Sequence, residues 1–289
     1  MLTIRDVLKR AEVYLTEHHI PSARLEAELL LAHALQCRRI DLFLAYDRPL
    51  EEGELEKYRQ LIRRKVSRIP TAYLTGKKEF YGLEFNTGPG ALVPRPETEL
   101  LVEKAADLIK QNRAGKDCLA ADICTGSGVI AVTLAKFFKE LSVYAVDISG
   151  EALELARQNA EKHGAAGRVR LLKGDLFEPL ARLNIKFDLI LANPPYIPSP
   201  EIPQLPPEIG HEPRLALDGG KDGLDIYRRI LSEGKEFMAD NGCMVLETGF
   251  GQAGKVGELA AQNGWDGRGV YADLAGIPRV MLFSLQGGS

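Results

Sequence analysis

The sequence predicts an α/β fold, a mostly parallel sheet with helices on both faces, joined to a small all-helical domain at the N-terminus. Two observations lead there. From Glu97 onward, strand-like apolar runs alternate with helix-like runs, which is the pattern of a parallel sheet covered on both sides. Before about residue 70, the apolar positions recur at helical spacing only. A chain of 289 residues suits one or two such domains.

The elements follow in order. Thr3 and Asp6 stand at capping-box spacing before Val7, Leu8, Ala11 and Leu15, one face of a first helix. Pro21 and Ser22 open a second helix, "ARLEAELLLAHAL", with Leu25, Leu29, Ala32 and Leu35 as its expected buried face. A third, "EEGELEKYRQLIRRKVSR", sets Leu55, Tyr58, Ile62 and Val66 on one side and a strongly charged, solvated face on the other. A domain of residues 1–70 results, with the boundary in "RIPTAYLTGKK". Residues 71–96 read as linker and β-hairpin, because aromatic and polar residues alternate around Gly82 and Gly88.

The domain of residues 97–289 then runs through strands "CLAADIC", "SVYAVDI", "RVRLLKG" and "FDLILAN" and helices "GVIAVTLAKFF" and "GEALELARQNAEKH". A proline-rich loop, "IPSPEIPQLPPEIGHEP", has neither helical nor strand pattern and reads as a semi-rigid wall beside a cleft. A helix near 222–238, a strand "GCMVLETG", a helix near 252–262 and a strand "RVMLFSL" close the chain.

Composition narrows the function. Hydrophobic residues make up 45% and charged residues 27%, with a formal net charge of −3. A chain whose main task is gripping a nucleic acid backbone usually carries a basic excess, so stable nucleic acid binding is not expected. The four cysteines form no C-x-x-C pair and the five histidines do not cluster near them, so no metal site is expected. Charges run through "MLTIRDVLKRAEVYL", unlike a signal peptide, and no apolar run approaches the roughly 18 residues of a membrane span. A cytoplasmic protein without membrane contact is expected.

The first chemical motif is "ADICTGSGVIA", a strand, a glycine turn and a helix start. Gly126 and Gly128 allow a tight turn and close approach of a ligand. Ala131 completes a G-x-G-x-x-A pattern, and Asp147 ends the next strand, where a carboxylate can accept from ribose hydroxyls. An adenosine-type cofactor at the carboxyl edge of the sheet follows. No second glycine turn or basic residue awaits a diphosphate, and Asp122 beside the turn suits an ammonium group. S-adenosylmethionine carries both an amino acid end and a ribose.

The second motif is "NPPY", Asn193 to Tyr196, at the end of a later strand. Ligands of open α/β sheets bind beyond the carboxyl ends of strands, so this motif faces the same crevice. Asn193 offers a side-chain carbonyl acceptor and Pro194 its backbone carbonyl, both held rigid by Pro194 and Pro195. Tyr196 offers a flat face for stacking. Two acceptors beside a flat platform suit a planar –NH2 whose lone pair is delocalised. Fixing both N–H bonds favours the pyramidal geometry that develops as such a nitrogen attacks a methyl group.

"DICTGSGVIA", "VPRPETE", "GDLF", "NPPYI" and "EPRLALDGGKDGL" together resemble the release-factor glutamine methyltransferases, the PrmC/HemK family, over nearly the whole chain. The resemblance implies a seven-stranded, Rossmann-like class I methyltransferase sheet with the last strand antiparallel. It implies transfer of a methyl group from S-adenosyl-L-methionine, leaving S-adenosyl-L-homocysteine, to the side-chain amide of the Gln in the Gly-Gly-Gln motif of class I peptide chain release factors. By position, the cofactor turn falls on Thr125, Gly126, Ser127, Gly128 and Val129, and the ribose acid on Asp147. Asp175 and Leu176 flank adenine. Leu176 stands where some members carry an aromatic, and neighbouring Phe177 is the alternative. Asn193, Pro194, Pro195 and Tyr196 hold the substrate amide, and Arg95 and Glu97 belong to a block near the site. Residues 1–70 are expected to dock the protein substrate. The nearest rival is an adenine-N6 methyltransferase acting on DNA or RNA, which shares the N-P-P-Y logic. A nicotinamide-dependent oxidoreductase and a non-catalytic cofactor-binding module are more distant rivals.

Overall fold

A computed structural model describes residues 1–111 and 117–287. Two compact units emerge, and the chain passes between them more than once. The first comprises Met1–Lys77 together with Pro206–His211, and the second Lys78–Leu205 with Glu212 onward.

The first unit is helical: α1 (Ile4–Glu17), α2 (Ala23–Ala34), α3 (Arg39–Leu44), α4 (Glu52–Val66) and α5 (Thr71–Thr75). The Thr3–Asp6 capping box is formed, with Asp6 N donating to Thr3 Oγ1 and Thr3 N to Asp6. Helix α1 buries Val7, Leu8, Ala11 and Leu15, and α4 buries Leu55, Tyr58 and Ile62. Helix α2 corrects the sequence reading: Leu25 and Leu29 are exposed, and Ala27, Leu30 and Leu31 enter the core. A run of three leucines permits two helical faces, and packing against α1 and α4 selects one. The charged side of α4 is not wholly solvated either, because buried Lys65 pairs with Glu26 at 3.5 Å. The segment read as linker from Thr71 forms α5, whose Leu74 is buried in this core. Pro206–His211 of the proline-rich loop joins the unit through Arg68 to Glu208, 3.1 Å, and His211 to the Ser67 carbonyl, 3.0 Å.

A hairpin follows, β1 (Lys77–Phe80) and β2 (Leu83–Asn86), all but Lys77 in the second unit. Its two-residue turn, Tyr81-Gly82, has positive φ at both positions, 51° and 70°, as a type I′ turn requires. Then come α6 (Thr98–Gln111), β3 (Cys118–Ile123), α7 (Val129–Phe137), β4 (Leu141–Asp147), α8 (Gly150–Lys162), β5 (Val169–Lys173), β6 (Phe187–Ala192), α9 (Asp225–Glu233), β7 (Met238–Glu247), α10 (Ala253–Gln262), β8 (Trp265–Ala272) and β9 (Pro278–Leu285). The sheet order is β5-β4-β3-β6-β7-β9-β8, parallel except for β9, which pairs antiparallel with both neighbours. Seven strands with an antiparallel last strand therefore stand as expected.

Strand side chains alternate between two cores. Ala120, Val143, Leu189 and Val245 face α6, α7 and the hairpin, while Ala121, Tyr144, Ile190 and Met244 face α9 and α10. Strand β8 was not legible in the sequence. It is an edge strand with Gly267 and Gly269, only Trp265 is buried, and its apolar alternation is correspondingly weak. The helix expected near 222–238 is shorter, ending at Glu233 before a 3-10 turn. The proline-rich loop holds 3-10 turns at Ile202–Gln204 and Ile209–His211, so it is not structureless. Among the described residues, no helix is long and apolar enough to cross a membrane.

Candidate active site

Register decides what meets at the sheet edge. Ile123 pairs with Val146 on one side and Ala192 on the other, and Ala192 pairs with Leu246. The next residue on each strand is Cys124, Asp147, Asn193 and Glu247. The chain runs from β3 to one side for β4 and to the other side for β6, so this edge is a topological switch point. A cavity of about 350 Å³ opens there within the second unit.

The glycine turn forms one wall. Gly126 and Gly128 have φ of 57° and 80°. At Gly128 a Cβ would come within 3.0 Å of Ala156 on α8, so that glycine also lets α7 pack closely. Asp147 accepts from Gly126 N at 2.8 Å and Ser149 N at 2.9 Å, one bond to each carboxylate oxygen. Asn159, buried on α8, donates to the Ser127 carbonyl at 2.9 Å and bonds the Asn86 backbone in both directions, tying turn to hairpin.

Asp122 plays a different part from the one the sequence suggested. It is fully buried, is not among the cavity-lining residues, and accepts from Thr125 Oγ1 at 2.5 Å and Ala131 N at 3.2 Å. Its carboxylate staples the turn instead of facing an ammonium group. Burial pushes its pKa up to about 7, against the bonds from Thr125 and Ala131.

Thr125, Gly126, Ser127, Val129, Asp147, Asp175 and Leu176 all line the cavity, while Gly128 sits behind it. Arg229 Nη1 holds both oxygens of Asp175 at 3.0 Å. Leu176 has a φ of 48°, and the chain then turns Phe177 into the core, stacked on Phe237 with centroids 5.0 Å apart. Phe177 therefore is not an alternative to Leu176 at the cavity.

On the opposite wall, Asn193 and Pro195 line the cavity, and Pro194 and Tyr196 do not. Asn193 Nδ2 donates to Thr98 Oγ1 at 3.0 Å, which leaves its Oδ1 as the remaining acceptor. The Tyr196 ring packs against the core facing α9 and α10, and burial pushes its hydroxyl up to about 12. Three neighbours fix its backbone. Gln252 Nε2 donates to the Tyr196 carbonyl at 2.8 Å. A Cβ at Gly219 would lie 2.8 Å from Tyr196 Cα, and one at Gly223 2.4 Å from its carbonyl oxygen. The "EPRLALDGGKDGL" block is thus the bed on which "NPPY" lies.

Arg95 lines the cavity and donates to Glu212 at 2.5 Å, whose other oxygen accepts from Val93 N at 2.9 Å. Glu97 does not line the cavity, and its charge faces Glu247 and Tyr196.

The chain resembles known proteins. Residues 6–76 match the PrmC N-terminal domain family and residues 97–202 the methyltransferase small domain family. The chain is 43% identical over 280 residues to the release factor glutamine methyltransferase of Geobacter sulfurreducens, covering 96% of this chain and 95% of the relative. The chain belongs to the release factor glutamine methyltransferase family. The relative of the same name from Clostridium acetobutylicum is 36% identical, covering 99% of this chain and all of its own. Among solved structures, the hMettl16 catalytic domain in complex with MAT2A 3′UTR hairpin 1 superposes with a TM-score of 0.59 at 15% identity, covering 77% of this chain and 81% of that one. That likeness concerns the fold alone.

For this glutamine methyltransferase family member, sequence reasoning missed the supports of the site: Thr98, Asn159, Glu212, Arg229, Glu247 and Gln252. Each acts through a contact distant in sequence, and no local pattern marks it. The available signals were two blocks without an assigned role, "VPRPETE", which contains Thr98, and "EPRLALDGGKDGL", which opens with Glu212.

Proposed function

We propose that this protein transfers a methyl group from S-adenosylmethionine to the side-chain amide nitrogen of the Gln in the Gly-Gly-Gln motif of class I release factors. The observation that carries the reading is Asn193, its Nδ2 held by Thr98 and its Oδ1 left as an acceptor at the cavity whose far wall is the glycine turn and Asp147. The residues present fit that cofactor. Gly126 leaves open space where a side chain would stand, Asp147 lines the cavity as an acceptor for ribose hydroxyls, and Leu176 gives an apolar wall for adenine. When bound, S-adenosylmethionine supplies an electrophilic methyl group on a sulfonium.

The chain's own residues do the rest. Asn193 Oδ1 and the Pro194 carbonyl accept the two N–H bonds of the substrate amide. Pro194 and Pro195 restrict the backbone, and Gln252, Gly219 and Gly223 hold Tyr196 from behind. Acceptors fixed before the substrate arrives stabilise the developing pyramidal nitrogen without reorganising. Tyr196, its ring packed on the core, anchors the segment that carries the two acceptors, and Arg95, oriented by Glu212, offers donors to the substrate backbone. The helical unit docks the body of the release factor, because a Gly-Gly-Gln tip offers few contacts by itself.

The test is incubation with a class I release factor and methyl-labelled S-adenosylmethionine, followed by mass spectrometric mapping. Label on the Gly-Gly-Gln glutamine is expected. Label on adenine in added DNA or RNA, with none on the release factor, would overturn the reading.

A further inference from the structure

An asparagine amide is nearly symmetric in shape, and its two ends have opposite hydrogen-bonding character. A methyl acceptor –NH2 needs the carbonyl end. We propose that Thr98 and Glu247 act as positioning residues that set which end of the Asn193 amide faces the substrate. The inference rests on the amide-methylation reading given above.

The geometry is a chain of three side chains, two of them buried. Ala192 and Leu246 are register partners, so Asn193 and Glu247 leave adjacent strands side by side. Thr98, at the start of α6, is 2% exposed, and Glu247 is 1% exposed. Asn193 Nδ2 donates to Thr98 Oγ1 at 3.0 Å, and the Thr98 hydroxyl faces the Glu247 carboxyl. Among the described residues Glu247 Oε2 has no partner, an exceptional state for a buried carboxylate. A hydroxyl has one proton. An ionised Glu247 only accepts, so it takes that proton's bond, and Thr98 has only lone pairs left for Asn193. The amide must then present its NH2 to Thr98 and its carbonyl to the cavity. A neutral Glu247 can donate instead, which frees the Thr98 proton for Asn193 Oδ1 and permits the reversed, unproductive amide.

The chain is therefore sensitive to proton uptake at Glu247. The groups facing that carboxyl are Glu97, Arg95, Arg279 and Tyr196, and the Tyr227 hydroxyl donates to the Glu247 backbone carbonyl at 2.8 Å. Burial, with Glu97, raises the carboxyl to about 7, and Thr98, Arg279 and Arg95 oppose the rise. Turnover should fall as pH drops below neutrality.

The experiment uses full-length protein and a release factor substrate. Thr98→Val should lower kcat roughly 10-fold or more, the scale of losing an outer hydrogen bond that orients a site group. KM and S-adenosylmethionine affinity should change little, and Thr98→Ser should restore most of the rate. Glu247→Gln, which cannot ionise, should remove the acid limb of the kcat profile. Unchanged kcat in Thr98→Val, or an intact acid limb in Glu247→Gln, would overturn the proposal. Should Thr98→Val fail to fold, the Glu247→Gln profile decides. A readout without turnover separates this inference from the functional one. The Asn193 side-chain NH2 signal, assigned by its loss in Asn193→Ala, should be protected from hydrogen exchange in wild type and Thr98→Ser. Wild-type protein that labels no release factor would sink the methyl-transfer reading, and an unprotected Asn193 NH2 would sink the relay.

Discussion

Ile123 and Ala192 are register partners in adjacent parallel strands. That one pairing brings the glycine turn and the "NPPY" segment to the same edge, although each was read separately along the chain. The cavity between them includes residues from both, and the predictions below test what each contributes.

Asp147→Asn should weaken binding of S-adenosylmethionine and S-adenosylhomocysteine by about 1–3 kcal/mol, the range for a hydrogen bond to a charged group. Both carboxylate oxygens already take a backbone N–H, so the variant also loses one of those bonds. Calorimetric titration measures it, and equal affinity in both proteins would remove Asp147 from the ribose site.

Asn193→Ala should leave the fold intact and lower turnover about 100-fold or more, as for loss of a preorganised dipole. Tyr196→Phe should be milder, because no described residue bonds its hydroxyl and its carbonyl contact with Gln252 is retained. Single-turnover rates with saturating release factor separate the two.

Gly223→Ala should damage the site from behind. Gly223 has a φ of +75°, and its new Cβ would sit 2.4 Å from the Tyr196 carbonyl oxygen. A stability loss of about 1–3 kcal/mol is expected from the overpacking, together with a fall in turnover. Denaturant unfolding and kinetics on the same sample check both. A fully stable, fully active variant would show that the bed beneath "NPPY" tolerates displacement.

Stability should fall as pH rises from the ordinary carboxyl range toward neutrality. Asp122 is held at about 7 by burial, above its ordinary value. The folded state thus favours the neutral acid, a contribution present at low pH and lost as pH climbs through about 7. Glu247 acts in the same sense. Melting temperatures between pH 5 and pH 8 should show a smaller slope in Asp122→Asn than in wild type. Equal slopes would mean that Asp122 does not titrate in this range.

The paired substitution Ile40→Ser, Leu44→Ser tests docking by the helical unit. These α3 residues are 55% and 80% exposed and lie one turn apart. KM for an intact release factor should rise several-fold, with no change for a short Gly-Gly-Gln peptide. Equal effects on both substrates would argue against docking at this surface.

The sequence by itself determined the class of fold, the glycine turn, the acid at the end of β4 and the "NPPY" segment. Those signals are local: strand, turn and helix follow each other within a few residues, and the chemistry needs particular residue types there. The buried face of α2 was ambiguous because three successive leucines fit two helical stripes, and only the packing against α1 and α4 chose Ala27, Leu30 and Leu31. Strand β8 was invisible because an edge strand with two glycines and one buried residue lacks a period. Asp122 and Phe177 were each placed at the cofactor by adjacency along the chain, and the backbone turned both into the protein. Thr98, Glu247 and Gln252 could not be read at all. Their work is to hold other side chains or backbone atoms across distant strands and loops, and those partners exist only once the sheet has its register.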